Sequence, residues 1–475
     1  MKKQKETEYS SESSKNSPKI IQKGPVSPVV VPNIKDISLL ENTYRKNQII
    51  VTFEKEPPAK DIKRLKKHIH KMGIGQIRVV KCDCCNCNLT IQLWLAEGIH
   101  TIISGKTPKA GSGGDPQTVG GNYSLNFLSK IPHHNWTQPN PRKLDDIKLK
   151  VKTPDNEVKI AVLDTGIDLS IVDPQYIGRN LQNEPGSECF KKWENGWNFV
   201  DGNDDIDDDN PGLHGSLVTQ FIINQFKYDP AHKYSPKNTV TIIPLKTHDQ
   251  DGEGDLFNIF CAVYYAIAKG AKIINASWGF YYYDTPLLVP LDLLLKELKR
   301  QGILFVTAAG NKIDSDDLMA DQLYYSQYDV DLTPSELRDL YIHQFLPACF
   351  SKTDSNVLTV TTTDGKEVSP TENYSKNYVD IGVLSDAPIS GDLGFSVPFS
   401  LTSGTALIFG SSFATAIATG VIGANCAKGH YQKNTINKSD FIDELERTPN
   451  SPVSKFCKEY PALKSLIRNG MVMLK

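Results

Sequence analysis

The chain has 475 residues, enough for two to four domains at the usual size of about 100–200 residues each. Hydrophobic residues make up 39% of it and charged residues 23%, the mixture of an ordinary globular protein with a sizeable core. A formal net charge of -2 gives no reason to expect binding to nucleic acid or to an anionic membrane. No apolar run approaches the roughly 20 residues that span a bilayer.

The first segment, residues 1–44, is polar, rich in Ser and Lys and interrupted by Pro, so we predict a disordered or extended arm. Its basic beginning, MKKQKETEYS, is not followed by an apolar stretch and is a poor secretory signal. The nine cysteines include four crowded into CDCCNC, which is not a spaced disulfide framework. Both observations favour a reducing, cytoplasmic location.

A small α+β domain is predicted for residues 45–104. The segments NQIIVTF, QIRVV and LTIQLWL have the composition of strands, and AKDIKRLKKHIHKMG has helical periodicity. The stretch SGKTPKAGSGGDPQTVGGNYS is rich in Gly, Pro and Ser and predicts a linker over residues 105–150.

Residues 151–475 alternate apolar strands with amphipathic helices. VKIAVLD, TVTIIPLK, AKIINASW, GILFVTAA and NVLTVTT are the strands, and helical patterns begin at HGSLVTQF, LFNIFCAV and PLDLLLKE. This order predicts a parallel sheet covered on both faces, with ligands bound at the carboxyl ends of its strands. The acidic stretch within 313–346 indicates an inserted surface segment.

Four polar residues supply the groups that acyl transfer needs. Asp164 ends a strand in IAVLDTGID, His214 opens a helix in LHGSLVTQF, Asn311 follows a strand in FVTAAGN, and Ser412 begins a run of small residues in FGSSFATAIATG. Each alone has an ordinary explanation as a turn residue or a helix cap. Together they offer an acid, a base, an oxyanion donor and a nucleophile at a positive helix end.

The chain order Asp, His, Ser, with the asparagine between, resembles that of the subtilisin-like serine proteases, the subtilases. VLDTGID is similar to the family's aspartate motif, HGS to its histidine motif, AAGN to its oxyanion asparagine and GSSFAT to its serine motif. The resemblance covers residues from about 158 to the C-terminus. It implies a triad of Asp164, His214 and Ser412, with Asn311 as the oxyanion donor.

The same resemblance implies an α/β, subtilisin-like three-layer fold with a mainly parallel sheet, preceded by the small α+β domain. NASWGF resembles the family's substrate-binding strand, so Ser277, Trp278 and Gly279 are expected to line a peptide cleft, together with Ala309 and Gly310 of AAGN. The bulk of Trp278 either narrows a neighbouring pocket or packs into the core, and the sequence leaves both open.

Several residues depart from the family pattern. Ser216 stands where Thr is usual, Gln220 where a small Gly packs, and Ala416 where the serine motif continues with Pro. GVLSD replaces the usual Ala-Pro-Gly stretch. Ser403 in TSGTA mimics part of the serine motif but lacks its Phe-Ala-Thr continuation, so Ser412 is the preferred nucleophile.

The resemblance implies a serine endopeptidase that cleaves protein or peptide substrates through an acyl-enzyme and needs no cofactor for its chemistry. A catalytically silent, peptide-binding pseudoprotease is the alternative. The domain at 45–104 is either a propeptide-like inhibitor or gate, or a permanently attached recognition domain. The physiological substrate, the trigger and the oligomeric state are not encoded in any recognisable motif.

Two metal sites are weaker candidates. Asp201, Asp207 and Asp208 belong to an acidic run that suits a structural Ca²⁺, although such runs are more often solvated loops. The cysteines of CDCCNC, with His68 and His70 nearby, suggest zinc, but four cysteines within six residues do not easily surround one ion. A redox-sensitive turn or plain strand-edge cysteines are preferred. The four cysteines are Cys82, Cys84, Cys85 and Cys87.

Overall fold

A computed structural model describes most of the chain. The described residues are 19–22, 28–31, 43–82, 88–102, 121–131, 156–178, 196–227, 235–282, 289–312, 321–322, 325–326, 330–353, 355–389, 391–398, 407–447 and 456–474. Within the predicted N-terminal arm, strands Lys19–Gln22 and Pro28–Val31 pair as a two-stranded antiparallel ribbon.

A nine-stranded sheet forms the centre of the larger unit, and it is parallel except for one pair of strands at an edge. Each predicted strand of the parallel sheet is present. In spatial order the strands are Cys457–Glu459, Met471–Met473, Ile381–Leu384, Val357–Thr363, Leu304–Ala308, Ile273–Ala276, Asn156–Asp164, Asn238–Lys246 and Trp197–Asn198.

Helices cover both faces of this sheet, as its continuous apolar strands require. The described helices are His214–Asn224, Leu256–Ala268, Val289–Arg300, Pro334–Arg338, Ser411–Asn425, Lys428–Tyr431 and Lys438–Arg447. Every residue of helix Ser411–Asn425 is buried. It packs closely on a neighbouring helix because Gly420 has no side chain: a Cβ there would lie 2.6 Å from the carbonyl oxygen of Ile222.

Two smaller antiparallel sheets border the large one. The first pairs Phe280–Tyr282 with Gln344–Leu346, and the second joins Ala387–Ile389, Asp392–Ser396 and Leu407–Phe409. The first sheet brings the end of the predicted insertion back against the strand that lines the predicted cleft. None of the helices in the described part of the chain has the length and apolarity to cross a membrane.

The N-terminal domain is an antiparallel sheet with a helix packed on it. The predicted strands and helix are confirmed, but the structure corrects the predicted linker, because a ten-residue strand, Gly121–Lys130, lies inside it. Glycines and serines around NYSLNFL masked its alternating pattern. In spatial order the sheet contains Glu253–Asp255, Gly121–Lys130, Tyr44–Phe53, Thr90–Leu95 and Arg78–Lys81, with helix Ala59–Lys71 buried against it through Leu65 and Ile69.

The two units share a sheet, a core and a covalent bond. Strand Glu253–Asp255 belongs to the larger unit, yet it extends the sheet of the N-terminal domain. Phe127 stacks on Phe280 across the boundary, with ring centroids 5.4 Å apart. A disulfide joins Cys82 to Cys261.

Candidate active site

An acid–imidazole pair forms where a central strand ends and a buried helix begins. Oδ1 of Asp164, the last residue of its strand, lies 2.7 Å from Nδ1 of His214, the first residue of its helix. The two side chains are only 1% and 3% exposed. The helix can approach so closely because Gly215 has no side chain: a Cβ there would lie 2.3 Å from the carbonyl oxygen of Gly166.

Ser412 is the second residue of the long buried helix and is 1% exposed. Gly410 precedes this helix with a φ of 126°, a backbone conformation that favours glycine and turns the chain sharply into the helix. The Ser412 hydroxyl donates to the carbonyl oxygen of Ser277 at 3.1 Å, and the Ser277 hydroxyl donates back to the Ser412 carbonyl at 3.0 Å. The ring of Phe413, the next residue, lies 5.5 Å from the imidazole of His214.

The amide of Asn311 is oriented by the start of the same helix. Its Oδ1 accepts hydrogen bonds from the backbone N–H of Ser411 at 3.1 Å and from the Ser411 hydroxyl at 2.8 Å. Because a backbone N–H can only donate, the atom that faces it must be the amide oxygen. The amide nitrogen Nδ2 is therefore the outward atom, and it is buried without a hydrogen-bond partner among the described residues. A buried donor without an acceptor is costly, so this nitrogen is poised for one.

The segment 277–279 pairs with the N-terminal domain of the same chain. The Lys130 N–H donates to the carbonyl oxygen of Gly279 at 3.0 Å, and the Gly279 N–H donates to the Lys130 carbonyl at 3.4 Å, which forms an antiparallel bridge. On the other side, the Ile131 N–H donates to the carbonyl oxygen of Gly252 at 2.8 Å. Residues 129–131 therefore lie between two backbone edges, as a bound peptide would.

The register of this pairing leads toward the serine. Lys130 faces Gly279, and in an antiparallel pair each further residue of the bound peptide faces the preceding residue of the segment. A peptide bound in this register places its second residue after the Lys130 position opposite Ser277. Ser277 is the residue whose carbonyl oxygen accepts from Ser412. Counted in this register, the peptide bond after that position is the candidate for attack by Ser412.

The remaining predicted cleft residues are buried. The ring of Trp278 is 1% exposed and packs edge-on against Phe305 at 6.4 Å, so the core position is the one observed. Ala309 donates its N–H to the carbonyl oxygen of Val360, which continues the sheet, while Gly310 donates its N–H to the Ser411 hydroxyl at 3.1 Å.

The ring of Phe345 packs against Gly279 and Gly310, which belong to the two segments predicted to line the cleft. The sequence analysis did not single out this residue. A Cβ on Gly279 would lie 2.2 Å from Cζ of Phe345, and a Cβ on Gly310 would lie 2.8 Å from its Cδ1. The ring is 6% exposed and also packs on Tyr281, at 4.9 Å between centroids. The available signal was a bulky aromatic residue at the end of the insertion, where the chain returns to the sheet.

The departures from the family pattern are accommodated by the packing. Gln220 is buried and donates Nε2 to the carbonyl oxygen of Ile171 at 3.2 Å, and Ala416 is buried within its helix. Ser216 donates both its N–H and its hydroxyl to Oδ2 of Asp208, at 2.9 and 2.7 Å.

Two of the candidate metal ligands, Asp208 and Cys82, have protein partners in the structure. Burial raises the pKa of Asp208 to about 6, and its carboxylate accepts from Ser216 and Thr165 instead of facing the carboxylates of its own loop. Cys82 is bonded to Cys261 and is not available to zinc. The other three cysteines of that cluster, Cys84, Cys85 and Cys87, lie outside the described residues. Within the described ranges, no three His, Cys, Asp or Glu side chains are grouped to hold a metal ion.

An Asp–His pair at a strand end, a serine at the start of a buried helix and an oriented asparagine amide are groups that serine hydrolases use. Residues 155–438 match the model of the Subtilase family, which is more than half of the chain. The chain therefore belongs to the subtilase family of serine peptidases, with an α/β catalytic domain.

The sequence matches to known proteins cover about a third of this chain and a smaller share of each relative. The chain is 30% identical over 161 residues to subtilisin-like protease 2 of Plasmodium falciparum (isolate 3D7), a match that covers 34% of this chain and 11% of that protein. It is 34% identical over 128 residues to the cell wall-associated protease of Bacillus subtilis (strain 168), which covers 27% of this chain and 12% of that protein. The chain thus spans about a tenth of the length of these two relatives.

Among solved structures, the fold is similar to the epidermin leader peptide processing serine protease from Staphylococcus aureus. The TM-score is 0.47 at 16% identity, and the match covers 89% of this chain and 97% of that one. A lanthipeptide protease matches with a TM-score of 0.38 at 20% identity, over 61% of this chain and 79% of that one.

Proposed function

We propose that the chain is a serine endopeptidase in which Ser412 is the nucleophile, His214 the general base and Asp164 the acid that orients the imidazole. Asp164 holds Nδ1 of His214, which leaves the opposite nitrogen to take the proton of the serine. The Ser412 hydroxyl, which donates to Ser277 at rest, turns to the imidazole when substrate binds. Oγ then bonds to the scissile carbonyl carbon, the C–N bond breaks, and His214 returns the proton to the leaving amine.

The oxyanion of the tetrahedral intermediate is held by Asn311 and the helix start. The buried Nδ2 of Asn311 is a donor without an acceptor among the described residues, and the backbone N–H of Ser412 is at the positive end of its helix. Donors that are already desolvated and oriented need no reorganisation when the charge develops, which makes them effective in the transition state. The Lewis acidity of a metal is not needed for this step.

The observation that carries the proposal is the position of residues 129–131. They occupy the backbone edges beside Ser412 in the way a substrate would, and they belong to the chain's own N-terminal domain. This domain is therefore proposed to inhibit the enzyme by filling its cleft. The chain continues on both sides of residues 129–131, so we propose that the cleft takes the middle of a chain and that the enzyme is an endopeptidase.

The ring of Phe345 restricts the substrate residue that donates the scissile carbonyl. The side chain of that residue would enter between Gly279 and Gly310, and the ring already lies against both glycines. Because interiors are close-packed, a large side chain cannot be added there without displacing the ring. We expect small residues at this position, and Pro132 of the N-terminal segment, the second residue after Lys130 in the sequence, is of this kind.

Intact mass spectrometry of the purified chain tests the proposal. Wild type is expected to cleave itself after Pro132, because the register counted from Lys130 ends there, and the Ser412→Ala variant is expected to stay whole. Ser403→Ala is the matched control, since it removes the other serine with a similar sequence and should cleave like wild type. A Ser412→Ala chain that is cleaved at the same bond would remove Ser412 from the mechanism. A wild type that hydrolyses no added peptide even after the N-terminal domain has been cut off and the disulfide reduced would favour the pseudoprotease.

A further inference from the structure

His248 lies at the edge of the cleft and contacts the bound N-terminal strand. Its imidazole is fully buried, and its Nε2 lies 2.7 Å from the hydroxyl oxygen of Ser129, which is fully buried as well. Ser129 faces Gly254 across the sheet, one residue before Lys130. Counted from the bond that reaches Ser412, Ser129 occupies the fourth substrate position on the side of the acyl group.

The hydrogen bonds around His248 give each ring nitrogen a hydroxyl partner. The Thr247 hydroxyl lies 2.9 Å from Nδ1, and the Ser129 hydroxyl, 2.7 Å from Nε2, also lies 3.4 Å from the carbonyl oxygen of Gly254. A hydroxyl can donate or accept, so Ser129 pairs with Nε2 in either tautomer of the ring. Burial lowers the pKa of His248 to about 3, so the ring is neutral at ordinary pH.

The space around Nε2 of His248 is small. A Cβ on Gly254 would lie 2.8 Å from Cδ2 of His248 and 2.4 Å from the carbonyl oxygen of Thr247, so the walls are in close contact. The ring of Trp278 closes the pocket on another side, with its centroid 5.8 Å from that of His248. A side chain of two heavy atoms fills the pocket in this structure. A larger apolar side chain would have to displace a packed ring and leave Nε2 without a hydrogen-bond partner.

We propose that His248 is a specificity-determining residue that selects serine at the fourth position before the scissile bond. The inference rests on the proposed endopeptidase function and on the register of the N-terminal strand. It extends both, because it names a side chain that the substrate must carry and the group that recognises it. A site built to hydrogen-bond a hydroxyl rejects the analogue that lacks it, since the buried ring nitrogen is then left without a partner.

Peptide hydrolysis by the protein in its cleaved form, assayed with a thiol reductant so that the N-terminal domain is released, tests the proposal. The substrates are identical except for Ser, Ala or Leu at the fourth position before the scissile bond. Wild type is expected to favour Ser over Ala by about 10-fold in kcat/KM, in line with the cost of an unpaired buried polar atom, and to favour Ser over Leu by more. The His248→Leu variant should lose the preference for Ser, and His248→Gln, which keeps a donor, should retain part of it.

The outcomes separate the two proposals. Hydrolysis of the Ser and Ala peptides at equal kcat/KM by wild type would overturn the role of His248 and leave the endopeptidase intact. An unchanged Ser preference in His248→Leu would overturn it too. If His248→Leu does not fold, the comparison of the three peptides with the wild-type enzyme still tests the preference for Ser. Hydrolysis of none of the peptides would overturn the proposed function, and the inference with it.

Discussion

Two separate connections hold the N-terminal domain to the catalytic unit, and this makes the release of the domain depend on thiols. One connection is the peptide chain through residues 132–155, and the other is the disulfide between Cys82 and Cys261. Cleavage of the chain alone leaves the domain covalently attached, and so does reduction alone. We predict that the peptidase becomes fully active only when both connections are cut.

The size of the effect follows from effective concentration. A partner on a short connection acts at roughly mM concentration, so a domain with a dissociation constant of about 1 μM would leave about 0.1% of the enzyme free. After reduction, at about 10 nM enzyme, the same constant leaves about 99% of it free. Reduction of the cleaved form should therefore raise peptide hydrolysis by about 10³-fold, and by less if the domain binds more weakly.

The assay compares four forms at that dilution: the intact and the cleaved chain, each with and without reductant. The Cys261→Ser variant is the control, because its cleaved form should be active without reductant and should not respond to it. If the chain does not cleave itself, a recognition site for another protease inserted between residues 132 and 155 supplies the cleaved form. Equal activity of the cleaved chain before and after reduction, with the two fragments shown to separate, would refute the inhibitory role of the domain.

Three further predictions concern single side chains. Asn311→Ala should lower kcat by about 10²–10³, the range known for an oxyanion-hole amide of subtilisin, with an unchanged melting temperature; near-normal kcat would exclude Asn311 from the site. Phe345→Ala should raise kcat/KM for a substrate with Phe before the scissile bond by at least about 10-fold relative to a substrate with Ala there, and should cost roughly 3–5 kcal/mol in stability. An unchanged ratio of the two kcat/KM values would show that the ring does not limit the pocket. Asp208→Asn should alter the pH dependence of the free energy of unfolding. Burial raises the pKa of Asp208 from 3.8 to about 6, so the folded state holds a proton that the unfolded state has lost, and wild type loses about 3 kcal/mol of stability relative to the variant as the pH rises from about 4 to 7. Urea titrations that give both proteins the same pH dependence would contradict this.

The sequence predicted the catalytic domain well because its signals are local. Apolar strands that alternate with amphipathic helices specify a covered parallel sheet, and Asp164 and His214 each follow directly from a strand end and a helix start. Ser412 lies in a run of small residues that only a buried helix needs. In each case a short stretch of sequence determines where the side chain points.

The parts that the sequence did not reveal depend on contacts between distant segments. Strand Gly121–Lys130 is held by partners from two domains, and its glycine-rich surroundings looked like a linker. The partner of Cys82 is 179 residues away, so the crowded cysteine cluster gave no indication of it. The roles of Phe345 and His248 depend on the glycines that their rings contact. No local sequence pattern marks a glycine that makes room for a ring.

The most direct test of the central claim, that Ser412 is an activated nucleophile under the control of the N-terminal domain, is labelling by a fluorophosphonate followed by intact mass measurement. The cleaved and reduced wild type is expected to gain one probe mass, the Ser403→Ala variant likewise, and Ser412→Ala none. Labelling of the intact, oxidised chain should be far slower. If the cleaved and reduced wild type remains unlabelled, or if Ser412→Ala is labelled as fast as wild type, the account is wrong.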